Sequence, residues 1–254
     1  MTLIIGGICH DGVVLVGDTK ITVDNGASYS YAKKIVSPSP EIVIATAGAT
    51  GFGKTFQTRL ILGIGKISKQ KEKESVNLNE KLILLAEKII REMVDTYGDE
   101  NVARYIDSLI VFRSDLEPEL IHLTGSGLPE PVNNYLSIGH GQPYGSFLLK
   151  TLWEKYTPMK MNQFAKIGCL TINYLQDLEL DNSVGFEKNK TPQVYFIPSI
   201  PQDAYSGIKN DLEAKEIFNR YKIIELSEKD IKSLMKNSTK NIANIESTIK
   251  NIKV

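Results

Sequence analysis

Thr2, Asp18, Lys34 and Gly48 are residues of types suited to acyl transfer, and they follow one another at intervals of sixteen, sixteen and fourteen positions. A threonine hydroxyl is inert as a nucleophile until a base takes its proton. If Met1 is removed, as the small Thr2 behind it permits, Thr2 carries its own base, a free α-amine with a reference pKa of about 8. A buried Lys34 would hold positive charge beside the hydroxyl and the amine, favouring deprotonation of both. Asp18 would pair with that ammonium, because an unpaired buried charge is too costly to keep. The N–H of Gly48, at the end of a strand, would be free to donate to the oxyanion formed when a carbonyl is attacked.

A second chemistry competes for the same glycine. Gly48-Ala-Thr-Gly-Phe-Gly53-Lys54-Thr55 satisfies the phosphate-loop pattern GxxxxGK[ST] letter for letter, between an apolar strand and a helix. In that reading backbone N–H groups cradle phosphates, Lys54 meets the β/γ-phosphates and Thr55 holds Mg²⁺. Against it, the preceding chain reads as hairpins rather than the first strand of a parallel sheet. No later apolar strand ends in an acidic residue well placed to hold the metal.

The elements that must position these residues can be read from periodicity. Leu3 to Cys9 and Val13 to Val16 are apolar runs about Asp11-Gly12, which predicts an antiparallel hairpin. Lys34 to Val36 and Glu41 to Thr46 form a second unit, separated by Ser37-Pro38-Ser39-Pro40. The pattern then turns helical from Phe56 to Lys69 and, more strongly, from Leu78 to Tyr97, where Ile83, Ala86, Ile90 and Val94 make a stripe. Strands are expected at Ser108 to Phe112 and Glu119 to Leu123, helices at Phe147 to Tyr156 and Met161 to Leu175, and a closing strand at Gln193 to Ile197. Blocks in this order point to α+β layers, not to an alternating parallel sheet. After Pro201 the chain becomes rich in Lys and Asn, and Ile242, Ile245, Ile249 and Ile252 mark a terminal amphipathic helix that packs on its own domain or on a partner.

Composition narrows the function classes. The 254 residues carry 30 Lys+Arg against 30 Asp+Glu, so nothing global steers the chain toward nucleic acid or membrane phosphates. No apolar stretch approaches a bilayer crossing, and no signal peptide is expected. Cys9 and Cys169 lie far apart without CxxC spacing, which excludes a disulfide scaffold and a cysteine zinc site. A cytoplasmic globular protein is expected.

Taken together, the residues from Thr2 to about Thr50 resemble a proteasome β-type subunit, one of the N-terminal-nucleophile hydrolases. The matching positions are Thr2, Gly12, Asp18, Thr22, Lys33-Lys34-Ile35 and Ala47-Gly48, in a register that needs no gap. The family's nucleophile falls on Thr2, its aspartate on Asp18, its lysine on Lys34 and its oxyanion glycine on Gly48. The threonine that hydrogen-bonds substrate backbone falls on Thr22. More weakly, Ser137-Ile-Gly-His-Gly141 resembles the Ser/Gly turn before the third helix, with His140 where a serine is usual. His140 is either a tolerated substitution or an aid to the terminal amine. Asp181 and Ser183 resemble the accessory pair before the last sheet strand, one residue too closely spaced, with Asp177 a rival for the aspartate.

The resemblance implies a four-layer αββα sandwich over residues 1–200, followed by a mainly helical extension at 201–254. It also implies threonine peptidase activity through an acyl-ester on Thr2, with no metal or organic cofactor. The first substrate side chain would lie among Ile21, Ala32, Val36, Thr46, Thr50 and Lys54. Expected partners are a peptide or unfolded protein, further proteasome-like subunits in a homo- or hetero-oligomer, and an ATP-dependent unfoldase. An amide-forming enzyme or a non-catalytic subunit on the same scaffold are the alternatives. The start resembles subunits matured by methionine removal alone.

Overall fold

The computed structural model describes residues 2–23, 28–48, 50–71, 78–98, 106–113, 117–124, 129–153, 159–177, 183–206 and 211–236. Two hairpins open the chain. β1 (Ile4–Cys9) and β2 (Gly12–Gly17) turn at His10-Asp11, and β5 (Ile35–Ser39) and β6 (Ile42–Gly48) turn after Ser39. Between them β3 (Lys20–Val23) and β4 (Ser28–Tyr31) pair as a separate two-stranded ribbon. The remaining strands are β7 (Ile106–Arg113), β8 (Pro118–Thr124), β9 (Pro129–Pro131), β10 (Tyr135–Ile138), β11 (Gln193–Pro198) and β12 (Ile224–Glu225). They complete two five-stranded sheets, ordered β10-β1-β2-β11-β12 and β5-β6-β7-β8-β9, and every pairing is antiparallel.

Alternation along the strands builds three apolar layers. In β6, Ile42 and Ile44 face one way while Val43, Ala45 and Ala47 face the other. In β2, Val13 and Leu15 oppose Val14 and Val16. The inner set (Ile4, Leu15, Val43, Leu109 and Tyr195 among it) fills the space between the sheets. The outer face of the second sheet is covered by α1 (Thr50–Lys71) and α2 (Leu78–Tyr97), through Phe56, Leu60, Ile90 and Met93. The outer face of the first sheet is covered by α4 (Met161–Asp177), joined by α3 (Gln142–Trp153), through Phe164, Cys169, Ile172 and Leu149. The result is the expected four-layer αββα sandwich.

Beyond Pro201 come α5 (Gln202–Ser206), α6 (Asp211–Arg220), β12 and α7 (Glu228–Lys236). Ile231 of α7 is buried in the same cluster as Phe164. The isoleucine stripe at 242–252 lies outside the described residues.

Four expectations need correction. β5 runs on through Ser37-Pro38-Ser39, with an irregular register between Val36 and Ser39 that accommodates Pro38, and the turn falls at Pro40-Glu41. α1 starts at Thr50, not Phe56. Gly51 and Gly53 look like breakers in sequence, yet a Cβ on Gly53 would stand 3.1 Å from Thr46 Cγ2, so that glycine is what lets the helix settle on the sheet. α3 starts at Gln142 rather than Phe147, because Gly145 packs against Leu3 and Ser137 and belongs to the helix; the expected end at 154–156 lies outside the described residues. The strands β3, β4, β9, β10 and β12 were not expected, since they are short and mostly lack a buried apolar face; β12 adds a strand from the extension to the first sheet.

Candidate functional site

Each hairpin contributes both of its open ends to one end of the sandwich. Thr2 precedes β1 and Asp18 follows β2; Lys34 precedes β5 and Gly48 ends β6. The β1–β2 register pairs Ile4 with Gly17, so the next step outward sets Leu3 beside Asp18. Leu3 N–H donates to Asp18 Oδ1 at 2.9 Å, and Asp18 N–H donates back to Leu3 O at 3.1 Å. From the second sheet, Lys34 Nζ reaches the same Oδ1 at 2.8 Å and also donates to the carbonyl of Lys20. The ammonium thus lies one shared oxygen from the amide that follows Thr2.

This is an enclosed ion pair, with Asp18 0% and Lys34 7% exposed, and Thr2 beside it is 4% exposed. Burial pushes the Asp18 carboxyl above its usual range, opposed by Lys34 and by the N–H groups of Leu3 and Gly185. Burial likewise pushes Lys34 down, opposed by Asp18. Both shifts have one cause, the loss of water around charge. A lysine held below its ordinary value is easier to deprotonate while its carboxylate partner keeps it in place. The two thiols are unsuited to attack, since burial pushes both Cys9, helped by Asp11, and Cys169 up to about 12.

Three contributors to this geometry were not read from sequence. Gln193, at the head of β11, is buried; its Oε1 accepts Lys34 N–H at 2.7 Å and Ile35 N–H at 3.2 Å, and its Nε2 donates to Ile35 O at 3.1 Å. One side chain therefore ties the first sheet to the strand that carries Lys34. Gly185 N–H donates to Asp18 Oδ2 at 3.3 Å, and its carbonyl accepts the N–H groups of Thr19 and Lys20. Gly139 crosses over Thr2 with φ of 89°, and a Cβ there would come within 2.4 Å of Thr2 O. The available signals were a polar residue heading an apolar strand and glycines in a run otherwise read as a turn.

The other anticipated positions are distributed around this centre. Gly48 pairs with Ile106 in the ladder and has φ of 108°. Ile21 and Thr22 lie on β3, and Thr22 Oγ1 is buried with no hydrogen-bond partner among the described residues. Ala32 is exposed, its N–H bonded to Thr19 O at 2.9 Å. Thr46 is buried and accepts Ser108 Oγ–H at 3.3 Å, whereas Val36 packs toward the helix-covered face. Thr50 opens α1, and Lys54 is exposed one turn further on. Ser183 is buried two residues before Gly185. Asp181 lies outside the described residues, and its rival Asp177 is exposed at the end of α4, accepting Asn173 Nδ2–H at 2.8 Å. His140 is exposed, while the next residue, Gly141, donates its N–H to Thr2 O at 3.2 Å.

The phosphate-loop string does not form a phosphate loop. Gly48 ends an antiparallel strand, and residues from Thr50 onward are already helical, with Thr55 Oγ1 bonded to Gly51 O at 2.8 Å. Among the described residues the motif is strand end and helix rather than an extended loop, and every strand pairing is antiparallel, so the frame of a phosphate loop is absent there.

Comparison with known proteins agrees with this geometry. The family model described as Proteasome subunit matches residues 2–189. No match is found among curated proteins. Among solved structures the chain is similar to the Anbu (Gly-1) mutant from Hyphomicrobium sp. strain MC1, with TM-score 0.65 and 15% identity over 100% of both chains, a likeness of fold. With the family match spanning most of its length, and the sandwich bringing both hairpin ends together at Thr2, this chain belongs to the proteasome subunit family and has its N-terminal-nucleophile hydrolase scaffold.

Proposed function

We propose that the chain is a threonine-type peptidase whose nucleophile is Thr2, made N-terminal by removal of Met1. The observation that carries this reading is the enclosed Asp18–Lys34 pair, bonded through Asp18 Oδ1 to the amide next to Thr2. An ion pair stripped of water is often no more stable than apolar side chains of the same volume. Its presence beside a potential nucleophile supports a chemical use of the charge.

In the proposed reaction Thr2 Oγ attacks the carbonyl carbon of a peptide bond while its proton passes to the α-amine of Thr2. The Lys34 charge favours the deprotonated forms of both groups, and Gly48 N–H donates to the tetrahedral oxyanion. Collapse breaks the C–N bond, and the departing amine takes the proton from the α-ammonium. The acyl-ester left on Oγ is attacked by a water that the same amine deprotonates, which frees the new carboxylate and restores Thr2. Ser183 and Asp181 would tune the amine. Thr22, whose hydroxyl has no hydrogen-bond partner among the described residues, would align substrate backbone. Ile21, Ala32, Thr46 and Thr50 offer a small or apolar setting for the first substrate side chain, with Lys54 at its rim. The expected substrate is a peptide or unfolded protein, handled within an oligomer of proteasome-like subunits in the cytoplasm; among the described residues no helix is long and apolar enough to cross a membrane.

Intact mass of the purified protein, before and after a threonine-directed epoxyketone, tests the proposal. Loss of Met1 and one adduct are expected, with the adduct absent in Thr2→Ala and retained in Lys54→Ala. A retained Met1 with no adduct refutes it and favours a non-catalytic subunit.

A further inference from the structure

A half-buried carboxylate–imidazole pair stands outside the reaction scheme above. Asp107 is on β7 and His122 on β8, and strand alternation turns both toward the layer between the sheets. Their neighbours Ile106, Ile121 and Leu123 face the helices, whereas Leu109, Val111 and Leu120 fill the inter-sheet layer. By that pattern Asp107 occupies a position otherwise given to apolar filler, at the end of the sandwich where the filler stops.

Its contacts account for a carboxylate there. His122 donates Nε2–H to Asp107 Oδ1 at 2.7 Å, which leaves Oδ2 to accept Gly139 N–H at 3.2 Å. Gly139 follows β10 of the first sheet, so one carboxylate links the two sheets at the site end. On the far side of that link, Gly139 lies against the Thr2 carbonyl, close enough that a Cβ would stand 2.4 Å from it, and Gly141 N–H bonds the same oxygen at 3.2 Å. On the near side Asp107 is the ladder partner of Ala47, beside the Gly48–Ile106 pair. Asp107 therefore stands between the backbone that holds Thr2 and the strand end that presents Gly48.

We propose that Asp107, oriented by His122, is a positioning residue that sets the separation of Thr2 from Gly48. The proposal rests on the peptidase reading, in which those residues supply nucleophile and oxyanion donor. A carboxylate acceptor strengthens the hydrogen bonds it receives, and here the short 2.7 Å bond from His122 fixes the carboxylate that holds Gly139 N–H at 3.2 Å. Loss of either bond would free the 139–141 turn, and a misplacement of about 1 Å between reacting groups costs on the order of a hundredfold in rate.

The test compares the full-length protein with Asp107→Ala, Asp107→Asn and His122→Gln, reading peptide hydrolysis, thermal melting and amide hydrogen exchange over residues 139–141. In Asp107→Ala, kcat is expected to fall about tenfold to a hundredfold with KM within about threefold, because substrate still binds but is misaligned. Asp107→Asn keeps an acceptor oxygen for Gly139 N–H and recovers most of the rate. His122→Gln lies between them, and exchange at 139–141 quickens in the alanine variant but not in the asparagine one. Unchanged kcat or unchanged exchange in Asp107→Ala overturns the proposal. So does a loss that asparagine fails to recover and that follows the melting temperature, which would assign Asp107 to folding alone. If the wild type neither hydrolyses peptide nor forms a Thr2 adduct, the peptidase reading fails, and with it the catalytic part of this proposal. The exchange comparison still decides whether Asp107 holds the turn over Thr2.

Discussion

Replacing Asp18 by Asn changes one oxygen to an NH₂ group at the most enclosed point of the site. The carboxylate accepts three donors, Leu3 N–H at 2.9 Å and Lys34 Nζ at 2.8 Å on Oδ1, and Gly185 N–H at 3.3 Å on Oδ2. Asparagine has a single acceptor oxygen. If that oxygen stays toward Leu3 and Lys34, the NH₂ group is pushed against the Gly185 N–H. If the amide flips, it faces both the Leu3 N–H and the ammonium, which is worse. The first orientation strands one buried donor, at about 1–3 kcal/mol. It also removes the counter-charge from a buried ammonium, at about 3–5 kcal/mol. The two costs overlap, because Lys34, already pushed down by burial, can shed its proton instead. A net loss of about 3–5 kcal/mol is expected, a large share of the ~5–15 kcal/mol that holds an ordinary domain folded. The assay is a double-mutant cycle in urea at fixed protein concentration, with Lys34→Met as the second substitution. Removing both charges should be less costly than the sum of the single losses by about 1–3 kcal/mol. Additivity within about 0.5 kcal/mol, or an Asp18→Asn cost below about 1 kcal/mol, would refute the account of an interacting pair closed off from water.

Two further outcomes follow from the same surroundings. Gln193→Leu removes the partners of Lys34 N–H, Ile35 N–H and Ile35 O together. It should cost about 2–4 kcal/mol by urea midpoint, since each stranded group carries its own penalty; a loss below about 1 kcal/mol would show that the sheets are joined there by other means. The pH dependence has a defined sign. Asp18, raised by burial above the usual 3.8, keeps its proton in the folded state after the unfolded chain has lost it, so stability falls as pH rises from 3.8 through the raised value. Lys34, lowered by burial from 10.5, gives up its proton first in the folded state, so stability rises from the lowered value toward 10.5. Relative to the Asp18→Asn/Lys34→Met variant, the wild type should pass through a minimum between the two windows. A difference in urea midpoint that stays flat from about pH 4 to about pH 10 would contradict both shifts.

The parts of the fold legible in sequence were those whose neighbours in space are also neighbours in the chain. The hairpin that turns at His10-Asp11 and the α2 stripe through Ala86 and Ile90 announce themselves through their apolar faces, whereas the prolines of Ser37–Pro40 hid the second half of β5 and moved the second turn too early. The β3–β4 ribbon had no such signature. Tyr29 and Tyr31 are exposed and Lys20 stacks over the Tyr29 ring at 4.8 Å, so polar and aromatic residues hold a ribbon with little buried face. The short β9 was hidden by Pro129 and Pro131, which punctuate a sequence even when they sit at a strand edge. Of the candidate site, Thr2, Asp18, Lys34 and Gly48 could be named because their types suit one chemistry at a regular spacing. Gln193, Gly185 and Gly139 could not, because each acts on a residue far away in sequence, Gln193 and Gly139 across the inter-sheet space and Gly185 on Asp18 at the end of β2.

That regular spacing has a geometric origin. An antiparallel hairpin returns the chain to the end from which it left, so the residues just outside its first and last strands become neighbours whatever the turn does. Six residues in each of β1 and β2, with a two-residue turn, bring Asp18 back beside Leu3, next to Thr2. β5 and β6 repeat the excursion in the other sheet and return Gly48 to the end that Lys34 left. Face-to-face packing of the sheets then sets one open end against the other, and Lys34 can reach Asp18 across the gap at 2.8 Å. The intervals of sixteen and fourteen are therefore hairpin lengths, and the middle interval is the polar ribbon that carries the chain from one sheet to the next. Lengthening a turn at His10-Asp11 or Pro40-Glu41 leaves both open ends in register. A one-residue insertion within β2 or β6 turns every following side chain in that strand to the opposite face and separates the pair, so the site tolerates change at one end of the sandwich and not in the strands that lead to the other.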